Sequence, residues 1–341
     1  IIGHYEVDLK HPKRDRHRGR IWRVVWTGKE DEYTRRRKDA RKLIDLTTMS
    51  TEELLTLLGD INQTTRELAL GQVVIRMKSD SKLGHRLKSN LFAPHNFSSP
   101  ILPPGQVDYY GYFDIVYATS IKWALFQAGQ LDAEVRPKIA HGVGWQDTVH
   151  SMKILAESTS AQWTSPVKQA VQKGLSHREP FVRRAAAEAL GLHPSADNIP
   201  YLIQAWDEAA KDDLQLIHVI RIALRNQLRG ASAIEQLVSI KLTADQMARL
   251  IDIALAVPSE SAAWFTFDYV RGRDVSGDMM SRCMTHVAQH VGPSRLDDVA
   301  KFAQEKYRGS DVQQVALFQS LFNGLTKRGQ RLSAESELGK W

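Results

Sequence analysis

Between Pro166 and Leu190, apolar residues recur at helical spacing on both sides of a short polar break. Val167, Ala170, Val171 and Leu175 form one set, Ser176 to Pro180 interrupt it, and Val182, Ala185, Ala186, Ala189 and Leu190 resume it. The pattern predicts a helix, a tight turn and an antiparallel helix. Pro180 falls in the first turn of the second helix, where its missing N–H costs nothing, and Gly191 is placed to act as its C-cap. The alanines at 185, 186, 187 and 189 leave room for a neighbouring pair to approach closely. A pair this small cannot bury its own apolar faces and needs neighbours on both sides.

Such neighbours exist. A shift of 33 residues lays Glu134–Ala156 on this unit, with Val149 on Val182, Met152 on Ala185 and Ala156 on Ala189. Asn198–Trp206 and Leu214–Leu224 read as a further pair, with Asp212 and Asp213 at the start of its second helix, where acidic residues suit the macrodipole. Thr51–Leu58 and Thr64–Ile75 read as an earlier pair, and Ser50 with Glu53 has the spacing of a capping box. Toward the C-terminus, helical patterns run from Thr243 to Leu255, Ala262 to Val270, Met279 to Val291, Ser294 to Tyr307 and Asp311 to Thr326. Thr243 is placed to cap the first of these, and Ser294 with Asp297 makes a capping-box-like start for the fourth.

The run Glu179-Pro180-Phe181-Val182-Arg183-Arg184-Ala185-Ala186, followed by Ala189-Leu190-Gly191, resembles the HEAT repeat family. There a D-P-x-V-R-x-x-A-x-x-A-L-G run opens the inner helix; here Glu179 stands where Asp is usual. The expected fold is therefore all-α, an α-solenoid of HEAT-like helical pairs over residues 51–330. An irregular insertion is expected at about 79–113, where Pro94, Pro100, Pro103, Pro104 and Gly105 break the periodicity. It carries Tyr109, Tyr110, Tyr112 and Phe113, and aromatic residues anchor interfaces. These four, with Arg183 and Arg184, are the candidate partner-binding residues. The stretch 331–341 is polar and reads as a tail that frays or serves as a linker.

Charge narrows the choice of partner. Residues 10–42 hold 14 Lys or Arg against 5 Asp or Glu, a larger excess than the net +7 of all 341 residues, so the rest is slightly acidic. A solenoid that binds nucleic acid should carry its positive charge along the repeats, because phosphate contacts dominate such affinity. Nucleic acid is thus an unlikely partner for the repeats. The run Arg35-Arg36-Arg37-Lys38 with Arg41-Lys42 reads as a solvated linker or first helix spanning 31–50.

The N-terminal stretch is of another kind. Gly19-Arg20-Ile21-Trp22-Arg23-Val24-Val25-Trp26 has β-strand character, and a lone strand needs a sheet to complete. The chain opens Ile1-Ile2-Gly3 without Met, which reads as a fragment or a processed form. Gly3-His4, Asp8 to Pro12, Arg14 to Arg18 and Gly19 to Arg23 resemble the final blade of the six-bladed β-propeller in planctomycete-type membrane-bound dehydrogenases. Those proteins are similar to soluble quinoprotein sugar dehydrogenases, and many continue into HEAT repeats and a C-x-x-C-H cytochrome segment. The resemblance implies that residues 1–30 close a propeller. It implies a parent that oxidises a sugar or alcohol with PQQ and calcium and passes electrons to haem c, in a periplasmic or exported location. This chain carries neither the propeller body nor a C-x-x-C-H, so no cofactor is expected in it.

Little else in the sequence demands chemistry. The single cysteine, Cys283, excludes an internal disulfide and reads as a buried hydrophobe. His286 and His290 stand at metal-ligand spacing, yet Val287, Ala288 and Gln289 between them supply no carboxylate, so the H-E-x-x-H pattern is absent; surface or packing histidines are expected. No catalytic, cofactor-binding or metal residue is nominated. The expected function is a non-catalytic scaffold or protein-interaction module that packs on its own propeller and faces a protein partner or electron acceptor. The alternative is a HEAT-like nucleic-acid-binding protein or a DNA glycosylase-like enzyme.

Overall fold

A computed structural model describes residues 45–60, 62–92, 112–237 and 239–341. The chain divides into two compact units, Ile1–Asp45 and Leu46–Trp341, and all described helices belong to the second. The expected strand at 19–26, the propeller segment 1–30, most of the basic stretch 31–50, and Tyr109 and Tyr110 lie outside the described residues.

Seventeen α-helices and no strand occur among the described residues, and they fall into eight successive pairs. The pairs are α1 (Thr51–Leu57) with α2 (Gln63–Ser79), α3 (Ser81–Phe92) with α4 (Tyr112–Gln127), and α5 (Val135–Lys138) with α6 (Trp145–Ala156). Then come α7 (Ser165–Gly174) with α8 (Pro180–Leu192), α9 (Ile199–Glu208) with α10 (Leu214–Gln227), and α11 (Ala231–Leu237) with α12 (Ala244–Ala254). The last two are α13 (Glu260–Arg271) with α14 (Gly277–His290), and α15 (Pro293–Lys306) with α16 (Asp311–Lys327); a final turn, α17, is Glu337–Lys340. Second helices stack on second helices, α2 on α4, α4 on α6, α6 on α8, α8 on α10, α10 on α12 and α14 on α16. The described residues form an α-solenoid of HEAT-like helical pairs.

Local chemistry sets the helix starts. Ser50 and Glu53 form a capping box, as do Thr243 and Gln246, and the Asp213 carboxylate accepts from the Leu216 N–H. Pro180 opens α8 as expected. Ala185, Ala186, Ala187 and Ala189 are all buried, which is why α6 and α10 come so close on either side. Gly191 differs from its expected role as a C-cap. It lies inside α8, and a Cβ there would sit 3.2 Å from the Ala223 Cα of α10, so hydrogen is selected by close packing. Ser294 is likewise not a cap: α15 follows Gly292 with Pro293 in its first turn and no side-chain cap bond.

Two boundaries also change. Residues 81–92 are helical, burying Leu83 and Leu87, and α4 begins at Tyr112, so the described parts of the expected insertion 79–113 are largely helical; residues 93–111 lie outside the described residues. The polar tail docks. Leu338 is buried, the Glu337 N–H donates to Asp297 at 3.0 Å, and Trp341 packs edge-on against Phe318 at 5.8 Å.

The apolar interior forms two clusters. One runs from Leu46 to Ala262 and the other from Ile251 to Leu338, and they interleave on α12, where Leu250 and Ile253 join the first and Ile251 the second.

Candidate interaction surface

The stacked second helices begin with exposed apolar residues. Trp145 opens α6, Phe181 is the second residue of α8 and Leu214 opens α10, at 36%, 54% and 71% exposure. Trp145 and Phe181 stack face to face with centroids 5.3 Å apart, and the Arg184 guanidinium lies 5.2 Å from the Phe181 ring. An aromatic pair flanked by an arginine is the composition that anchors protein interfaces.

Both arginines nominated from sequence are committed inside the fold. Arg183 donates to the His177 carbonyl at 3.1 Å and braces the turn between α7 and α8. Arg184 donates to Asp213 and to Gln215, each at 2.6 Å, and ties α8 to the start of α10. Together with burial and the Leu216 N–H, that guanidinium sets the Asp213 carboxyl, with the net result below its ordinary range. The ladder continues along the stack. Asp252 of α12 accepts from Arg221 of α10 at 3.1 Å and from Arg282 of α14 at 2.6 Å, while Arg249 pairs with Asp207. Arg249 and Arg221 also lie over Trp206, at 5.0 and 6.0 Å. Of the aromatic nominees, Tyr112 and Phe113 form the first turn of α4.

One group of reactive side chains was not nominated from sequence. Lys122 of α4 donates to Asp147 of α6 at 2.6 Å and to Ser151 Oγ at 2.9 Å, and Asp147 also accepts from Thr119 Oγ1 and from the Val143 N–H. The side chains of Lys122 and Asp147 are 5% and 0% exposed. Burial is the largest influence on Lys122 and lowers its pKa against the opposing pull of Asp147. Buried and bonded to each other, the two side chains clamp α4 to α6. The signal for it was a lone lysine inside the apolar run Ile121–Leu125.

His286 is buried beside His290, with ring centroids 4.7 Å apart; burial first, and His290 second, lower its pKa to about 4. Cys283 is buried, and burial pushes its thiol up to about 12, a value that keeps it protonated and unreactive. Among the described residues, no group of three or more His, Cys, Asp or Glu is placed to hold a metal ion. No described helix is long and apolar enough to cross a membrane.

No family model and no curated protein matches this chain. Two solved structures of engineered proteins align with it at 14% identity. One alignment covers 81% of this chain and 78% of the other, with a TM-score of 0.41. The second covers 83% and 99%, with a TM-score of 0.27.

Proposed function

We propose that this chain is a non-catalytic solenoid scaffold whose stacked second helices dock a protein partner along the edge that begins with Trp145, Phe181 and Leu214. The observation that carries this reading is the exposed Trp145–Phe181 stack beside Arg184. Keeping two large rings in water is unfavourable unless a partner covers them, and two aromatic side chains immobilise few rotamers on binding. A nucleic-acid partner is disfavoured because Arg184 and Arg221 are neutralised by aspartates of the same stack and Arg249 by Asp207 of α9.

The N-terminal resemblance supports a narrower proposal for the partner. It is the β-propeller of a quinoprotein dehydrogenase-like parent, which would carry PQQ and calcium, oxidise a sugar or alcohol and pass electrons to a haem c segment. The test is binding of the 341-residue chain to the propeller-containing product of its own full gene, measured by biolayer interferometry. Trp145→Ala with Phe181→Ala should weaken binding by about tenfold or more while leaving the helical circular dichroism unchanged. Equal binding by the double variant would overturn the docking edge. A full reading frame without a propeller would remove the dehydrogenase parent and leave the scaffold reading standing.

A further inference from the structure

A groove of about 460 Å³ lies on the surface shared by α14, α16 and the end of α12. Arg282, His286 and Gln289 line it from α14 at i, i+4 and i+7, and Ser320, Asn323 and Lys327 line it from α16 at i, i+3 and i+7. That spacing puts each trio on one helical face. Leu255 and hydroxyl residues complete the wall, which contains no carboxylate.

The walls are fixed relative to each other at three points. Thr285 Oγ1 of α14 donates to the Ser320 carbonyl of α16 at 3.1 Å. Gly324 lets the two backbones touch, since a Cβ there would run into the Thr285 carbonyl and lie 2.6 Å from the Ala288 Cβ. Arg328 donates to the Val291 carbonyl. A groove with such walls is organised before anything enters it, which removes much of the ordering cost of binding.

Its polar groups are incompletely used. Lys327 makes no ion pair among the described residues, and Arg282 gives one amino group to Asp252 and keeps its other donors. His286 is the most buried of the polar lining residues at 6% exposure, and its Nε2 is buried without a hydrogen-bond partner. The groove between α7 and α9 makes a contrast, because it offers Lys173 and Glu208 together and no unpaired buried atom.

We propose that the α14–α16 groove binds a small anion bearing a carboxylate or phosphate group. Lys327 and Arg282 neutralise its charge, and Gln289 and Asn323 donate hydrogen bonds to it. This site is independent of the docking edge on α6, α8 and α10.

The test is isothermal titration of the full chain with inorganic phosphate and, separately, with malonate, at low salt and at physiological salt. One saturable equivalent of either probe is expected, and the probe that binds names the anion class. Lys327→Ala, which breaks no ion pair, should weaken binding about tenfold, and Asn323→Asp, which places a carboxylate in the groove, should abolish it. Lys301→Ala, an exposed change on α15, should leave it intact. Absence of saturable binding to both probes, or binding by Lys327→Ala and Asn323→Asp equal to the unaltered chain, would overturn the site. Thermal melts of each variant separate loss of binding from loss of fold.

Discussion

Lys122 and Asp147 show how far a single buried pair governs this chain. Each charge is tolerable away from water because the other is 2.6 Å away and Ser151, Thr119 and the Val143 N–H complete the hydrogen bonding. Lys122→Met alone strands the carboxylate and should cost about 3–5 kcal/mol in urea unfolding. Adding Asp147→Leu should recover much of that loss; a single variant as stable as the unaltered chain would mean that the clamp is not formed. His286 supplies a pH test. Its pKa is lowered to about 4 in the fold against about 6.5 in an unfolded chain, so the unfolded state takes up the proton first. Its contribution is complete above pH 6.5 and is lost as the pH falls from there through about 4. His290 acts on it directly, and Arg282, which is paired with Asp252, and Lys327 line the same groove. The urea midpoint should therefore fall over this interval, and fall less in His286→Gln. An identical fall in the variant would show that the imidazole titrates normally.

At the scale of elements, the close approach of α14 and α16 depends on Gly324. Gly324→Ala pushes a methyl group against the Thr285 carbonyl and Ala288, so the helices must part. Thermal unfolding should show a destabilisation of about 1–3 kcal/mol, with Gly277→Ala, where nothing lies within contact, as the neutral comparison. Equal melting of the two variants would contradict the packing. Sequence periodicity revealed the pairs around α8 because their apolar and polar faces alternate cleanly. In α4 the run Tyr112–Gln127 mixes apolar residues with Asp114, Thr119, Ser120 and Lys122 and so shows no single apolar face. In α3, Leu83, Leu87 and Leu91 recur every fourth residue, a signal masked by the prolines that follow. Gly191 was misassigned for a related reason: a C-cap and a close helix contact ask for the same residue, and only the position of Ala223 distinguishes them. The candidate surface was less legible still. Arg183 and Arg184 stood out in the motif, but their partners, His177, Asp213 and Gln215, are set by the turn and the next repeat. Trp145 and Phe181 meet only because α6 stacks on α8.

The whole molecule is organised by that stacking. Two apolar clusters meet on α12, and along the second helices the charges are paired as Arg184–Asp213 and Arg221–Asp252–Arg282. Exposed aromatic and aliphatic groups are left at the helix starts. Paired charge and exposed rings suit a protein surface better than a phosphate backbone, which is the basis for the scaffold proposal. Lys122 and Asp147, 5% and 0% exposed, join α4 to α6. The measurement that bears most directly on this account is quinone-dependent dye reduction, assayed with sugars, calcium and PQQ on the 341-residue chain and on the longest product of its gene. The scaffold account predicts no turnover by the 341-residue chain, and the proposed dehydrogenase parent predicts turnover by the long product; turnover by the 341-residue chain alone would contradict the account.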